Sequence, residues 1–259
     1  MNLFDTHAHL DEEAFQDNQA DLVERAQQAG VSTIITVATT LISSRRCLEI
    51  ASRFERVFPS VGIQPNYCAE ASSDDWDQIV QLAQSSEVVA LGETGLDRYW
   101  DYTPFAQQQD YFDRHLQLSQ QLQLPFIVHM RECGEDILQM LREARQRGPL
   151  QGVMHSFTGD AALARQCLDL GLYISFAGMV TFKKSTELRA VAAEIPDNRL
   201  LLETDAPYLS PHPHRGQRPN EPALLVHTAT CLAEAREVSL ETLAQQTTTN
   251  ASTLFQRAR

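Results

Sequence analysis

Four histidines and two acidic residues stand at the ends of short apolar runs in the sequence, and these side chains could hold metal ions. The set consists of His7, His9, Glu93, His129, His155 and Asp205. His7 and His9 are two residues apart, so on an extended segment both imidazoles point to the same side. Two nitrogens on one side of a strand make half of a metal site, and other strands must supply the remaining ligands.

The number and type of these side chains indicate which ions would bind. Six ligands are too many for one tetrahedral zinc ion but suit two divalent ions bridged by a carboxylate and a hydroxide. Nitrogen and oxygen ligands without a thiolate fit Zn²⁺ or Mn²⁺, and Mg²⁺ is also compatible. A single His at a strand end is more often structural than a metal ligand. Here four of the eight His fall at predicted strand ends together with a Glu and an Asp, which favours the interpretation as ligands. His115 and His227 fall within helical patterns, and we interpret both as structural.

Short β-branched or apolar runs alternate with amphipathic stretches along the whole chain. They predict strands at 2–6, 31–37, 57–63, 87–92, 125–129, 152–155, 172–177 and 199–204. Runs that are apolar on both faces are typical of parallel strands covered by helices. Eight strand–helix units at roughly 30-residue spacing fit a closed (β/α)₈ TIM barrel, an α/β fold with its active sites at the carboxyl ends of the strands. A doubly wound open sheet is the alternative, but no G-x-G-x-x-G follows the first strand. We expect one domain over residues 1–259.

Charge and composition restrict the partners of the chain. The chain of 259 residues has a net charge of −13, and such an acidic protein binds duplex nucleic acid poorly because binding to phosphates normally relies on Lys and Arg. Bound metal ions would therefore have to supply local positive charge. Five scattered Cys without a C-x-x-C pair indicate a reduced, intracellular protein. We find no signal peptide and no run of transmembrane length, so we predict a cytoplasmic protein without membrane association. Nothing indicates an obligatory protein partner, and the oligomeric state stays open.

Five motifs resemble those of the TatD family, a group within the amidohydrolase-like barrels. They are D-T-H-A-H at 5–9, L-G-E-T-G-L-D at 91–97, P-F-I-V-H at 125–129, H-S-F-T-G at 155–159 and L-E-T-D-A-P at 202–207. They occur in the order of the family and span nearly the whole chain. The resemblance implies metal-dependent hydrolysis of DNA phosphodiesters, often exonucleolytic, which magnesium or manganese supports in many members.

The resemblance also implies a role for each ligand. It assigns His7, His9 and Asp205 to one ion and His129 and His155 to the second, with Glu93 as the bridge between the two ions. Asp205 would in addition hold the attacking water and accept its proton. We expect in-line attack on the phosphodiester by a metal-bridging hydroxide, with Asp205 and Glu93 as the catalytic carboxylates. Residue spacing alone does not say which ligand binds which ion.

Several other residues are predicted to contact the substrate, which would be DNA or a small phosphoester. Gln64 stands where the family usually has the His of G-x-H-P, so the identity of the substrate depends on it. Arg215 and Arg218 lie in the loop at 210–222, which we interpret either as a rim that contacts phosphate or as a rigid solvated loop.

A second group of predicted substrate contacts follows the fourth and fifth strands. Arg98 and the aromatic residues Tyr99 and Trp100 could stack on or clamp a nucleotide base, with packing of the aromatic pair against a helix as an equal alternative. Arg131, two residues beyond His129, is predicted to face the same pocket.

Two other functions are compatible with the sequence. The first is a hydrolase of small esters, amides or phosphoesters on the same barrel. Related barrels often use a carboxylated Lys as the bridge, but here Glu93 stands at that place and no Lys occurs near a strand end. The second is a catalytically silent metal-binding scaffold. An assay of turnover on oligonucleotides and on small esters would separate these functions.

Overall fold

A computed structural model describes residues 2–258, and its strands form a single parallel barrel. The strands are β1 (Leu3–Ala8), β2 (Val31–Thr36), β3 (Val57–Val61), β4 (Ala90–Asp97), β5 (Phe126–Arg131), β6 (Gly152–Met154), β7 (Tyr173–Phe176) and β8 (Leu200–Leu202). They pair in sequential order from β1 to β8, each parallel to the next. A parallel bridge between Ala8 and Ala206 joins the two ends of the sheet. The predicted (β/α)₈ barrel is therefore confirmed.

The helices cover the outside of the barrel. They are α1 (Gln19–Gln28), α2 (Leu41–Arg53), α3 (Asp75–Ala83), α4 (Phe105–Leu122), α5 (Gly134–Arg147), α6 (Ala161–Asp169), α7 (Thr186–Glu194), α8 (Leu225–Ala235) and α9 (Leu240–Leu254). α5 buries Ile137, Leu138, Leu141 and Ala144, the apolar face that helical periodicity predicts. In residues 2–258 no helix combines the length and the apolar character that crossing a membrane requires.

The inside of the barrel has its own apolar core, separate from the layer between the strands and the helices. Alternate residues of a strand point to opposite faces of the sheet. In β8, Leu200 and Leu202 belong to the outer layer, whereas Leu201 joins the inner cluster with residues of the other strands. The strand members of this inner cluster are Phe4, Ile35, Ala90, Ile127, Val153, Tyr173 and Leu201.

The amino-terminal end of the barrel is closed by α9 and the residues that follow it. Leu254, Phe255 and Ala258 belong to the inner cluster, and the ring of Phe255 lies 6.3 Å from that of Phe4. The hydroxyl of Thr248 donates a hydrogen bond of 2.9 Å to the carbonyl of Asn2, which joins α9 to the first strand. The eight predicted strand–helix units did not include this closing helix.

At the carboxyl end of the barrel, the observed strands differ from the predicted ones only in where they end. β1 continues to Ala8, β4 to Asp97 and β5 to Arg131, so His7, Glu93 and His129 lie within strands and not at their last residues. β4 is longer because 94–97 pair with 128–131 beyond a register shift after Leu91. β8 is shorter than predicted, and Asp205 therefore lies in the loop after it.

Candidate metal centre

Three of the predicted ligands converge on one point at the carboxyl end of the barrel. His7 Nε2 and His9 Nε2 are 3.2 Å apart, and Asp205 Oδ1 lies 3.7 Å from the first and 3.5 Å from the second. Zinc–nitrogen bonds of 2.0–2.1 Å place the ligand atoms of a tetrahedral ion about 3.4 Å apart. The spacing of these three atoms is therefore what a single divalent ion requires.

Glu93 connects this group to the other histidines. Its Oε2 lies 3.6 Å from both His7 Nε2 and His9 Nε2. Its Oε1 lies 2.8 Å from His129 Nδ1 and 3.2 Å from His155 Nε2. Each carboxylate oxygen thus faces a different pair of imidazoles, which is the arrangement of a bridging ligand.

The second group of ligands is less compact than the first. His7, Glu93 and His155 offer ligand atoms close enough to share an ion, and the rings of His7 and His155 stack with their centroids 4.0 Å apart. His129 joins neither compact group and meets the others through Glu93. The predicted ligands therefore come together, with His129 at the outer side of the second group.

Three of the histidines are oriented by a hydrogen bond from the ring nitrogen that faces away from the centre. His9 Nδ1 lies 2.8 Å from the carbonyl of Val37, and His129 Nε2 lies 2.8 Å from Asp97 Oδ2. His155 Nδ1 lies 3.2 Å from Glu203 Oε1. A ring N–H donated to such an acceptor fixes the tautomer and directs the lone pair of the other nitrogen inwards, as metal-binding histidines require.

Asp97 and Glu203 contact two of the predicted ligands, and reasoning from the sequence missed both of them. Asp97 Oδ1 also accepts hydrogen bonds from the backbone N–H groups of Tyr99 and Trp100, at 2.8 and 3.0 Å. Burial raises the pKa of Asp97, but the hydrogen bonds from His129 and the backbone outweigh it and lower that pKa to about 2. The carboxylate is therefore ionised and holds the imidazole firmly. Both acids stand in the motifs that carry Glu93 and Asp205, which is the signal that could have identified them.

A third missed carboxylate, Asp5, joins the first strand to the loop after the last. It accepts hydrogen bonds from the backbone of His7 at 3.2 Å and of Thr204 at 3.0 Å, and from the Thr204 hydroxyl at 2.5 Å. Burial raises the pKa of Asp5 to about 7, against the hydrogen bonds from Thr204. Asp205, the residue after Thr204, has a left-handed φ of +55°, which Asp adopts more readily than most residues. Asp5 thereby sets the relative positions of two predicted ligands, His7 and Asp205.

When no metal ion is bound, protons on His9 and His155 balance the charge of the buried carboxylates. Burial lowers the pKa of His9, but the carboxylates of Asp205 and Glu93 outweigh it and raise that pKa to about 9. Burial raises the pKa of Glu93, but the charge of His155 and the hydrogen bonds from the imidazoles bring it well below its usual value. Burial lowers the pKa of His7 to about 4, and the charge of His155 acts in the same direction. A divalent cation would take over the role of these protons and displace them.

The predicted substrate contact Gln64 lies at the mouth but is largely buried. Its Oε1 accepts a hydrogen bond of 2.8 Å from the backbone of Asn66 and so caps the short 3₁₀ helix Pro65–Tyr67. Among residues 2–258, the only hydrogen bond of this side chain is the one that Oε1 accepts, so its amide nitrogen can still donate. This nitrogen is the donor that our substrate-contact prediction requires, and the contact itself stays a prediction.

The predicted arginine contacts have different surroundings. Arg98 donates two hydrogen bonds of 2.7 Å to Asp136, so its guanidinium fork is already occupied. Arg131 lies over the ring of Tyr99, 3.9 Å from its centroid. Arg215 lies over the ring of Phe182 at 4.3 Å. A contact of Arg98 with a nucleotide base through its guanidinium N–H groups therefore requires the ion pair with Asp136 to open, and the other contacts remain predictions.

The loop at 210–222 is anchored by a buried side chain and not by its arginines. The amide of Asn220 donates to the carbonyls of Thr204 and Tyr208, at 2.9 and 2.6 Å. Arg218 is exposed and makes no hydrogen bond or ion pair with the described part of the chain. The loop is thus fixed beside Asp205, while Arg218 is free to meet a ligand.

The two histidines interpreted as structural lie away from the centre. His115 is fully buried in α4, where Nδ1 lies 2.7 Å from the carbonyl of Tyr111 and Nε2 accepts from the backbone of Ile63 at 3.1 Å. Burial lowers its pKa to about 4, so it is neutral at pH 7. His227 in α8 packs against His214, with 4.8 Å between ring centroids.

Comparison with known proteins agrees with this geometry. The family described as TatD related DNase matches residues 4–256. The uncharacterized metal-dependent hydrolase YabD of Bacillus subtilis is 38% identical over 253 residues, 98% of each chain. The 3'-5' ssDNA/RNA exonuclease TatD of Salmonella typhimurium is 35% identical over 258 residues, 98% of this chain and 99% of the relative. The crystal structure of YJJV, a TatD homologue from Escherichia coli, superposes with a TM-score of 0.92 at 32% identity and 98% coverage of both chains. The chain therefore belongs to the TatD family of metal-dependent hydrolases.

Proposed function

We propose that this protein hydrolyses phosphodiester bonds of DNA with two divalent metal ions. The observation that carries the proposal is the division of the Glu93 carboxylate, whose Oε2 faces His7 and His9 while Oε1 faces His129 and His155. The name of the Salmonella relative, an exonuclease of single-stranded DNA and RNA, supports this substrate class.

Each ligand group would hold one ion. His7, His9 and Asp205 would hold the first, His129 and His155 the second, and Glu93 would contact both. Bound there, the ions would lower the pKa of a water molecule and supply positive charge to the phosphoryl oxygens. This local charge is needed because the chain carries a net charge of −13, which repels a polyanion.

Asp205 is the carboxylate best placed to accept a proton from the attacking water. Its side chain is 12% exposed, compared with 5% for Glu93. Both carboxylate oxygens of Glu93 lie close to imidazole nitrogens, so the role of Glu93 is to position the imidazoles. Asp205 can accept the proton while oxygen attacks phosphorus and the ester P–O bond breaks.

The test is hydrolysis of a labelled single-stranded oligonucleotide by the purified protein with Mg²⁺, Mn²⁺ or Zn²⁺. A p-nitrophenyl ester and a small phosphodiester serve as parallel substrates. We expect cleavage of the oligonucleotide, and abolition of that cleavage by a chelator. Turnover of the small ester alone would favour the hydrolase of small molecules, and no turnover of any substrate would favour a metal-binding scaffold.

The number of ions is tested separately by elemental analysis of the metal-loaded protein. We expect about two divalent ions per chain, and about one in His155→Ala, because that variant lacks a ligand of the second group. His227→Ala is the matched control, since His227 lies on α8 away from the centre. One ion in the wild-type protein would contradict the two-ion proposal.

A further inference from the structure

The exposed large apolar side chains of residues 2–258 are concentrated on the face of the barrel that carries the metal ligands. They are Ile42, Tyr67, Tyr99, Trp100, Tyr102 and Tyr208. Each lies shortly after the carboxyl end of a strand, in a connection from that strand towards the next α-helix or at the start of that helix. Ile42 has no aromatic ring, and single exposed apolar residues are common, but the concentration of the five aromatic residues on one face marks a binding surface.

Three of these residues form one cluster with an arginine, which we term the aromatic platform: Tyr99, Trp100, Tyr102 and Arg131. The rings of Trp100 and Tyr102 are stacked, with 5.2 Å between centroids and 11° between planes. Tyr99 meets Trp100 edge to face at 4.7 Å, and the Arg131 guanidinium lies 3.9 Å from the Tyr99 centroid. The three aromatic residues are 40–60% exposed, so they do not form the helix-packed pair that was the alternative in the sequence.

The aromatic platform is directly connected to the metal centre. The backbone N–H groups of Tyr99 and Trp100 donate to one oxygen of Asp97. The other oxygen of the same carboxylate accepts from His129. A single side chain therefore separates the aromatic platform from a predicted metal ligand, which is close enough for one polymeric substrate to reach both.

We propose that the aromatic platform binds the unstacked bases of single-stranded nucleic acid, an inference that rests on the proposed function and assigns the residues that recognise its substrate. The charge of the protein does not favour phosphate attraction as the main source of affinity, since the net charge is −13 and the nearby Arg98 is neutralised by Asp136. Aromatic faces bind bases without regard to sequence, and a guanidinium over a ring adds a cation–π contribution. In a duplex the same base faces are already stacked on their neighbours and cannot be reached.

The test measures binding in the presence of a chelator, so that hydrolysis does not interfere. The probes are a fluorescein-labelled oligodeoxythymidine, a duplex of the same length and an abasic strand of the same length. We expect the single strand to bind, and the duplex and the abasic strand to bind at least tenfold more weakly. Binding should also quench the fluorescence of Trp100, and Trp100→Phe should lose that signal.

The variant Trp100→Ala removes a ring from the aromatic platform, and Ile42→Ala is its matched control. Stacking of a base on an aromatic side chain contributes about 5- to 150-fold in affinity, so we expect a loss of this size for Trp100→Ala. Ile42 is 65% exposed on the same face but has no π surface, so Ile42→Ala should change the affinity less than about twofold.

Three results would overturn the proposal: equal binding of the abasic strand, equal binding of the duplex, or unchanged affinity in Trp100→Ala. Failure of the proposed function would be seen in a different measurement, as the absence of hydrolysis after metal is added back. Strong binding of the single strand by the wild-type protein, lost in Trp100→Ala, would still support the aromatic platform in that case.

Discussion

Replacement of Asp97 by Asn should weaken metal binding although Asp97 is not itself a predicted ligand. Its carboxylate accepts four hydrogen bonds, two from backbone N–H groups and one each from His129 and Asn66. An Asn has a single acceptor oxygen, and its NH₂ group would face donors on the other side. If the oxygen stays with the backbone, His129 must move its proton to Nδ1, the nitrogen that faces Glu93.

The size of the effect follows from the hydrogen bond that is lost. A hydrogen bond to a charged group contributes about 1.5–3 kcal/mol, and each 1.4 kcal/mol corresponds to about tenfold in affinity. We therefore expect an ion on the side of His129 to bind about 10–100-fold more weakly. This range agrees with the usual effect of losing the partner that orients a metal-binding His. The ion held by His7, His9 and Asp205 should change by less than about threefold.

Calorimetric titration of the metal-free protein with Zn²⁺ or Mn²⁺ would measure both affinities. Asp136→Asn is the matched control, because it makes the same change at a carboxylate that pairs with Arg98 and contacts no predicted ligand. We expect one weakened site in Asp97→Asn and none in the control. Two unchanged affinities in Asp97→Asn, with a near-UV spectrum identical to that of the wild type, would refute the role assigned to this hydrogen bond.

Asp205→Asn should lower kcat for oligonucleotide hydrolysis by about 10²–10⁴-fold with little change in substrate affinity, because the amide cannot accept a proton from water. Steady-state kinetics would measure this, and a retained kcat would mean that another group acts as the base. Gln64→Ala should lower kcat/KM by up to about 10²-fold, and Gln64→His should stay within about tenfold because its ring N–H can replace the amide donor. An unchanged kcat/KM in Gln64→Ala would mean that Gln64 only caps the 3₁₀ helix. Below its pKa of about 9, His9 holds a proton that a metal ion must displace. The apparent affinity for metal should therefore fall as the pH decreases below about 9, by up to tenfold per pH unit for each displaced proton. Metal titrations between pH 6 and pH 9 would check this sign, and a flat profile would contradict it.

The side chains that converge at the centre could be identified from the sequence because each depends on local information. A His or an acid at the end of an apolar run can be identified from a few neighbouring residues. Asp97 and Glu203 depend instead on partners far along the chain, since Asp97 pairs with a His 32 residues later and Glu203 with one 48 residues earlier. Only the assembled barrel brings these residues together, so the converging side chains were expected from the sequence and the residues that orient them were not.

Helix α9 illustrates a second limit of sequence patterns. Its buried face includes Thr247 and Asn250 as well as apolar residues. The Thr247 hydroxyl donates to the carbonyl of Leu243, and the Asn250 amide donates to the carbonyl of Leu200 at the base of β8. Polar groups satisfied in this way can be buried, but they hide the apolar periodicity by which a packed helix is predicted.

The closure of the barrel by α9 also determines how the chain can fold during synthesis. Phe4, near the amino terminus, completes its packing only when it meets Phe255, about 250 residues later. Until the last helix leaves the ribosome, the apolar interior of the barrel lacks its floor, and β1 lacks its contact with α9. Contacts between such distant segments form late, and partly folded chains with exposed apolar surface are prone to aggregate. The apolar interior of the barrel therefore stays open to solvent until α9 has been made and has packed against it.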